Sequence, residues 1–250
     1  NHASLIDGLR LARIRPEQRL IFKHNDCKDL KQKLERSAAA LKIVVTESLF
    51  SMDGDFAPLD ELAALCREQG AVLLVDEAHS IGVYGPQGSG LAHDSALMIS
   101  VNPCGKAMGA AGAFVSGPSW LRDLLINSAR SFIYTTGASP WIAAGLNAGL
   151  AHIIAADDAR CRLKNMSQLV RDRLREMGFD IGASASHIIP IIIGSERESL
   201  KAEAFLKERG ILARAIRPPT VPENLCRLRL SLHSALQSTD ILKLLNAMEE

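Results

Sequence analysis

Continuous apolar runs that end in polar side chains are the feature that most constrains this fold. The run AVLLV (71–75) shows no apolar–polar alternation and leads directly into DEAH (76–79). A strand of this kind is buried on both faces, which is typical of a central strand in a parallel sheet. Similar runs are KIVVTESLF (42–50) and ALMISV (96–101), and an amphipathic helical segment at 58–70 separates the first of them from AVLLV. The sequence therefore predicts an α/β fold with a mostly parallel central sheet.

The last hundred residues have their own alternation of strands and helices. The segments are HIIPIIIG (187–194), ESLKAEAFLKERG (198–210) and CRLRLSL (226–232). We predict a large domain over residues 1–155 and a smaller C-terminal α/β domain over 156–250. Because the chain opens on NHASLIDG without a Met, we also expect that an N-terminal portion of the large domain is absent.

The DEAH tetrapeptide has two readings. In DEAH-type helicases it is the second nucleotide-binding motif, and Asp76 would then hold Mg²⁺ beside ATP. Such a protein also needs the phosphate loop G-x-x-x-x-G-K-[ST]. The single GK of this chain, at Gly105 and Lys106, has Ser100 in place of the first Gly and Ala107 in place of the hydroxyl residue. A net charge of +1 and 4% aromatic residues also lack the basic surplus and stacking platforms of nucleic-acid-binding proteins.

The second reading is a cofactor site at the strand ends. Ligands of open parallel sheets bind beyond the carboxyl ends of the strands. Asp76 and His79 follow one predicted strand, and Lys106 follows the next in the glycine-flanked turn CGKAMGAAG. A Lys amine together with an Asp that pairs with a pyridinium nitrogen is the recurring set for pyridoxal phosphate. Each residue alone is commonly a turn former or a solvated side chain, and their order together favours the cofactor.

Seven motifs carry a family resemblance in their order along the chain. They are NHASLIDG, FKHND, TESLFSMDGDFAPL, VDEAHSIGVYGPQGSG, GKAMGAAGAF, SFIYTTGASP and RPPTVPENLCRLRLSL. The chain resembles the α-oxoamine synthases, pyridoxal-phosphate enzymes of the aspartate-aminotransferase fold (fold type I), over essentially its whole length. Within that group, SMDGD and RPPTVP are most similar to the 8-amino-7-oxononanoate synthases of biotin biosynthesis.

The resemblance implies a role for each matching residue. Lys106 would bind the cofactor covalently and later move the α-proton of the substrate. Asp76 would pair with the pyridine nitrogen, and His79 would contact the ring oxygen. The remaining expected contacts are His2 stacked on the ring, Ser51 near the ring oxygen and the substrate carbonyl, Arg229 and Thr220 at the substrate, and Thr135 and Thr136 at the phosphate of the neighbouring subunit in a homodimer.

The implied reaction joins L-alanine to a pimeloyl thioester, pimeloyl-CoA or a pimeloyl carrier protein, with loss of carbon dioxide. The alternatives are another α-oxoamine synthase, which uses glycine or serine with a different acyl-CoA, and a catalytically weakened homologue. The last is raised by Pro103, which stands where family members carry a hydroxyl that binds the phosphate. The five scattered cysteines and the short apolar runs predict a cytoplasmic protein with no metal site and no membrane partner.

Overall fold

The computed structural model describes residues 1–92 and 98–250, and the chain divides into two compact units. The first unit comprises Asn1–Leu49 and Ala57–Ala156. The second comprises Phe50–Phe56 and Asp157–Glu250. Residues 50–56, which the sequence assigns to the large domain, therefore group with the C-terminal part of the chain.

The first unit is an α/β layer structure. Its strands are β1 (Lys42–Glu47), β2 (Ala71–Asp76), β3 (Met98–Pro103) and β4 (Ala113–Ser116). Its helices are α1 (Ala3–Leu11), α2 (Cys27–Arg36), α3 (Leu59–Glu68), α4 (Ser119–Ser128), α5 (Arg130–Ile133) and α6 (Pro140–Ile154). The described strands form a sheet in the order β1-β2-β3-β4, in which β1, β2 and β3 are parallel and β4 is antiparallel to β3.

This sheet confirms the predicted mostly parallel arrangement. The apolar run of β2 is buried as its composition predicts, with Ala71, Leu73 and Val75 almost fully inaccessible. Helix α3 packs on β2 and buries Leu62 and Cys66, and a fully buried Leu stabilises the fold by about 1.5–3 kcal/mol. The predicted strand 96–101 is observed from Met98 onward, and its first two residues lie outside the described residues.

The second unit has an antiparallel sheet. Its strands are β5 (Ile188–Gly194), β6 (Arg214–Ile216) and β7 (Cys226–Ser231), and its helices are α7 (Asp157–Glu176), α8 (Glu196–Glu208) and α9 (Ser238–Glu249). The order is β5-β7-β6, so β7 lies between the other two strands. Helix α8 packs on this sheet, and α7 packs on α9. The short strand β6 was not predicted from the sequence.

Among the described helices, none combines the length and the apolar character that a membrane crossing requires.

Candidate active site

Asp76 lies at the carboxyl end of β2, between two parallel neighbours. The register pairs it with Glu47 of β1 and with Val101 of β3. Asp76 is 5% exposed, and its Oδ1 accepts the main-chain N–H of Ala78 at 2.8 Å. This contact within its own turn fixes the carboxylate at the sheet edge where ligands bind in open α/β folds.

Glu47 brings a second carboxylate to the same edge. Burial raises the pKa of Glu47, and the Asp76 carboxylate raises it further because like charges repel. The main-chain N–H of His2 donates to Glu47, which places the start of α1 at this edge. The His2 ring is exposed, and its Nδ1 lies 2.8 Å from the hydroxyl of Ser4. Stacking of His2 on a cofactor ring stays a prediction.

Lys106 and His79 meet beyond the ends of β2 and β3. His79 lies on the turn after β2, in which Ser80 and Ile81 donate their main-chain N–H groups to the carbonyl of Glu77. Lys106 is exposed on the loop between β3 and β4, and its Nζ lies 3.2 Å from His79 Nε2. The structure therefore brings together an amine and an imidazole that are 27 residues apart in the sequence.

Gly82 allows this approach. Its φ is +81°, and a Cβ built there would lie 2.6 Å from the Cβ of Ala107, the neighbour of Lys106. No side chain fits at that distance, so the loop that carries Lys106 rests directly on the backbone after His79. Below it, Cys104, Met108 and Ile153 form a buried cluster that supports the loop from the core.

Two buried serines tie the His79 turn to β1. Ser48 donates its hydroxyl to the main-chain carbonyl of Asp76 at 3.2 Å, and Ser80 hydrogen-bonds to the same Ser48 hydroxyl. Both serines are fully buried. Because Ser48 uses its single proton on Asp76, Ser80 is the donor to Ser48.

Glu77 is a site residue that the sequence did not single out. It is 1% exposed, and its carboxylate accepts the main-chain N–H groups of Leu91, at 2.9 and 3.1 Å, and Ala92, at 2.6 Å. Gly90 has a φ of +92°, and a side chain there would collide with the Glu77 carboxylate. The Glu77 main-chain N–H also donates to Val101 at 2.9 Å. One residue thus joins the His79 turn, the end of β3 and the 90–92 segment.

We expect Glu77→Ala to lower the free energy of unfolding by about 2–3 kcal/mol, because two half-buried N–H groups lose their acceptor. Glu77→Gln keeps one acceptor oxygen and should lose less. Chemical denaturation monitored by circular dichroism measures both. Glu68→Ala, which removes an exposed carboxylate paired with Lys31, is the matched control and should change the value by under about 0.5 kcal/mol. Equal losses for the Glu77 and Glu68 variants would contradict the anchoring role.

Pro103 is the last residue of β3 and pairs with Ala113 of β4. The two neighbours that could replace its missing hydroxyl are engaged elsewhere. Asn102 is buried and donates its side-chain amide to the Ser100 hydroxyl at 3.0 Å, and Cys104 is fully buried. Burial also raises the pKa of the Cys104 thiol. Neither side chain is presented to a phosphate in this arrangement.

Thr135 and Thr136 lie on the exposed segment between α5 and α6. The Thr135 hydroxyl lies 3.5 Å from the carbonyl of Thr136. Their contact with a phosphate across a subunit boundary stays a prediction.

Arg229 occupies the middle strand of the second unit, β7, opposite Pro190 of β5 and Arg214 of β6. Its Nε is buried and has no hydrogen-bond partner among the described residues. Burial lowers the pKa of the Arg229 guanidinium. Burial, and then the charge of Arg229, lower the pKa of His187 to about 4, so the imidazole is neutral at pH 7. A buried donor that lacks an acceptor fits an incoming carboxylate.

Two further predicted contacts also belong to the second unit, Ser51 at the cofactor and Thr220 at the substrate. Ser51 is half-buried in the segment Phe50–Phe56. Thr220 is exposed, and its main-chain N–H donates to Arg217 at 3.0 Å. These contacts stay predictions.

Comparison with known proteins gives relatives along the whole chain. A relative from Geobacillus kaustophilus is 46% identical over 248 residues, which is 96% of this chain and 63% of that protein. The 8-amino-7-oxononanoate synthase of Anaeromyxobacter dehalogenans is 41% identical over 254 residues, 100% of this chain and 63% of its own length. The chain therefore spans just under two thirds of these curated relatives.

Solved structures agree with the fold. The Sphingomonas wittichii serine palmitoyltransferase matches with a TM-score of 0.91 at 30% identity, covering 100% of this chain and 63% of that one. The 8-amino-7-oxononanoate synthase of Francisella tularensis matches with a TM-score of 0.83 at 29% identity, covering 99% and 72%. The family model described as aminotransferase class I and II matches residues 1–248. The resemblance read from the seven motifs is confirmed, and the chain belongs to the aminotransferase class I and II family.

Proposed function

We propose that this chain is the greater part of a pyridoxal-phosphate-dependent acyltransferase that joins L-alanine to a pimeloyl thioester, pimeloyl-CoA or pimeloyl carrier protein, to give 8-amino-7-oxononanoate. The observation that carries the proposal is the exposed Lys106 amine, 3.2 Å from His79, beyond the strand end that holds Asp76. The 41% identity to an 8-amino-7-oxononanoate synthase supports the choice of reaction.

The residues present fit the aldehyde and the ring of the cofactor. When bound, pyridoxal phosphate supplies an aldehyde for a covalent link and an electron-withdrawing ring. Lys106 is the amine for that link, since it is exposed and borne on a supported loop. Asp76 is a buried carboxylate that can keep a ring nitrogen protonated, and His79 is a donor at the ring oxygen. Pyridoxal phosphate needs an amine, an anion and an imidazole at one edge of a sheet, and the first unit has all three groups.

Lys106 has two tasks in the proposed reaction. As a nucleophile it attaches the cofactor, and once released it takes the α-proton of the amino acid as a general base. In the second unit, the Nε of Arg229, which has no hydrogen-bond partner among the described residues, would donate a hydrogen bond to the substrate carboxylate. The orientation of that carboxylate decides which bond at Cα is aligned to break.

The proposal includes a homodimer in the cytoplasm. Large aromatic side chains near Thr135 and Thr136 are exposed to solvent. The exposed fraction is 61% for Phe132, 72% for Tyr134 and 86% for Trp141. Exposed apolar side chains grouped in this way mark an interaction surface. The free cysteines, four of them buried, suit a reducing compartment.

A second candidate is an acyl transfer to serine or glycine, which the TM-score of 0.91 to a serine palmitoyltransferase favours. The two candidates differ in the amino-acid substrate that the enzyme prefers.

The test is a spectral titration of the purified full-length protein. We expect added pyridoxal phosphate to give a visible absorbance band, and borohydride to abolish the band and leave the cofactor mass on the Lys106 peptide. L-alanine should then shift the spectrum at lower concentration than glycine or serine. A protein that stays colourless would favour the weakened homologue, and a response to serine or glycine but not alanine would overturn the alanine assignment.

A further inference from the structure

The segment Phe50–Phe56, here called the strap, follows β1 and precedes α3 in the sequence but belongs to the second unit. Two main-chain hydrogen bonds join residues within the strap. Phe50 donates its main-chain N–H to Asp55 at 3.0 Å, and Gly54 donates to Phe50 at 2.9 Å. The strap carries Ser51, which is predicted to lie near the ring oxygen of the cofactor and the substrate carbonyl. What holds the strap therefore decides where Ser51 is placed.

Arg227 of β7 holds the strap at one point. It is 5% exposed, and its Nη1 donates to Asp53 Oδ1 at 2.8 Å and to the carbonyl of Met52 at 3.2 Å. Its Nε donates to the carbonyl of Leu225 at 3.1 Å. A buried guanidinium held by several acceptors in a planar fork has a defined orientation, which a Lys ammonium cannot reproduce.

Gly54 attaches the strap at a second point, independent of Arg227. Its carbonyl accepts the main-chain N–H of Ala185 at 3.1 Å. Its φ is +68°, and a Cβ at this position would collide with the carbonyl oxygen of Ile188 in β5. The strap therefore lies directly on the backbone of the second unit, with no side chain between them.

Arg227 and Arg229 stand two residues apart on β7, so they occupy the same face of the strand. The strap is bound to the first of them, and the second has the buried Nε without a partner. Ser51 and Arg229 therefore belong to the same unit, in which the ion pair of Arg227 with Asp53 ties the strap to β7.

We propose that Arg227 and Asp53 are positioning residues that hold Ser51 in register with Arg229, so that one compact unit presents both groups to the amino-acid substrate. This inference rests on the proposed function, since it assigns Ser51 and Arg229 to that substrate. A displacement of about 1 Å at a substrate-orienting group lowers the rate by about 10²-fold, so a small release of the strap has a measurable effect.

The test uses Asp53→Ala in the full-length protein, because Asp53 is about half exposed, and circular dichroism checks that the variant is folded. Hydrogen–deuterium exchange without substrate should become faster in peptides covering 50–56. The KM for L-alanine should rise about tenfold with a smaller change in kcat. Asp53→Glu keeps the carboxylate, so its exchange over 50–56 and its KM for L-alanine should lie between those of the wild type and Asp53→Ala.

Glu249→Gln is the control, because it removes the exposed pair with Arg173 in the same unit. Neither the exchange of the strap nor the KM should change. Unchanged exchange in Asp53→Ala, or faster exchange with an unchanged KM, overturns the positioning role. A parent protein that takes up no cofactor overturns the proposed function instead, and faster exchange of the strap in that protein would still establish Asp53 as its anchor.

Discussion

Lys106→Ala should lose the visible absorbance band and at least about 10³-fold in turnover. The variant has no amine to attach the cofactor and no base at the α-proton, so both tasks fail together. The Lys106 loop contacts Gly82 through Ala107 and packs over buried Cys104 and Met108, which holds the Lys106 amine beside His79.

Borohydride reduction followed by peptide mass mapping measures the attachment, and steady-state kinetics measure the turnover. Lys28→Ala, an exposed lysine of α2, is the control and should leave both unchanged. A cofactor mass found on a different lysine, or a Lys106→Ala variant that keeps its band, would refute the assignment.

Asp76→Asn should keep the fold and most cofactor binding but lower turnover by about 10²- to 10³-fold. The amide oxygen can still accept the N–H of Ala78, so the turn persists. The negative charge is lost, and with it the interaction that, under the proposed function, would keep a ring nitrogen protonated. Without that protonation the substrate α-proton would be harder for Lys106 to remove.

Absorbance titration gives the Kd of the cofactor, and a stopped assay of product gives kcat for the Asp76→Asn variant. Asp60→Asn makes the same chemical change on the exposed first turn of α3 and should have no effect on either value. Wild-type turnover in Asp76→Asn would show that Asp76 does not serve the ring nitrogen.

The strand-end residues could be predicted from the sequence because their signal is local. The unbroken apolar run before Asp76 predicts a buried parallel strand, and parallel strands deliver their polar ends to one edge. The contact of Lys106 with His79 follows from that topology. The roles of these residues toward a cofactor rest on the family resemblance.

The contacts of Glu77 and Arg227 could not be predicted in the same way. Glu77 binds main-chain N–H groups 14 and 15 residues further on, and main-chain groups carry no side-chain signature. Arg227 meets Asp53 across 174 residues of sequence, so no local pattern records the pair. Strand β6 is three residues long and too short for its periodicity to be recognised.

The contact of Gly82 with Ala107 also limits how this site can be redesigned. Gly82 has no side chain, so the turn after His79 lies against the Cβ of Ala107, which keeps the loop of Lys106 close to His79. Any larger residue at position 82 would displace Ala107 and so increase the distance between the Lys106 amine and the His79 imidazole. Attempts to admit bulkier amino acids should therefore leave Gly82 and Ala107 unchanged.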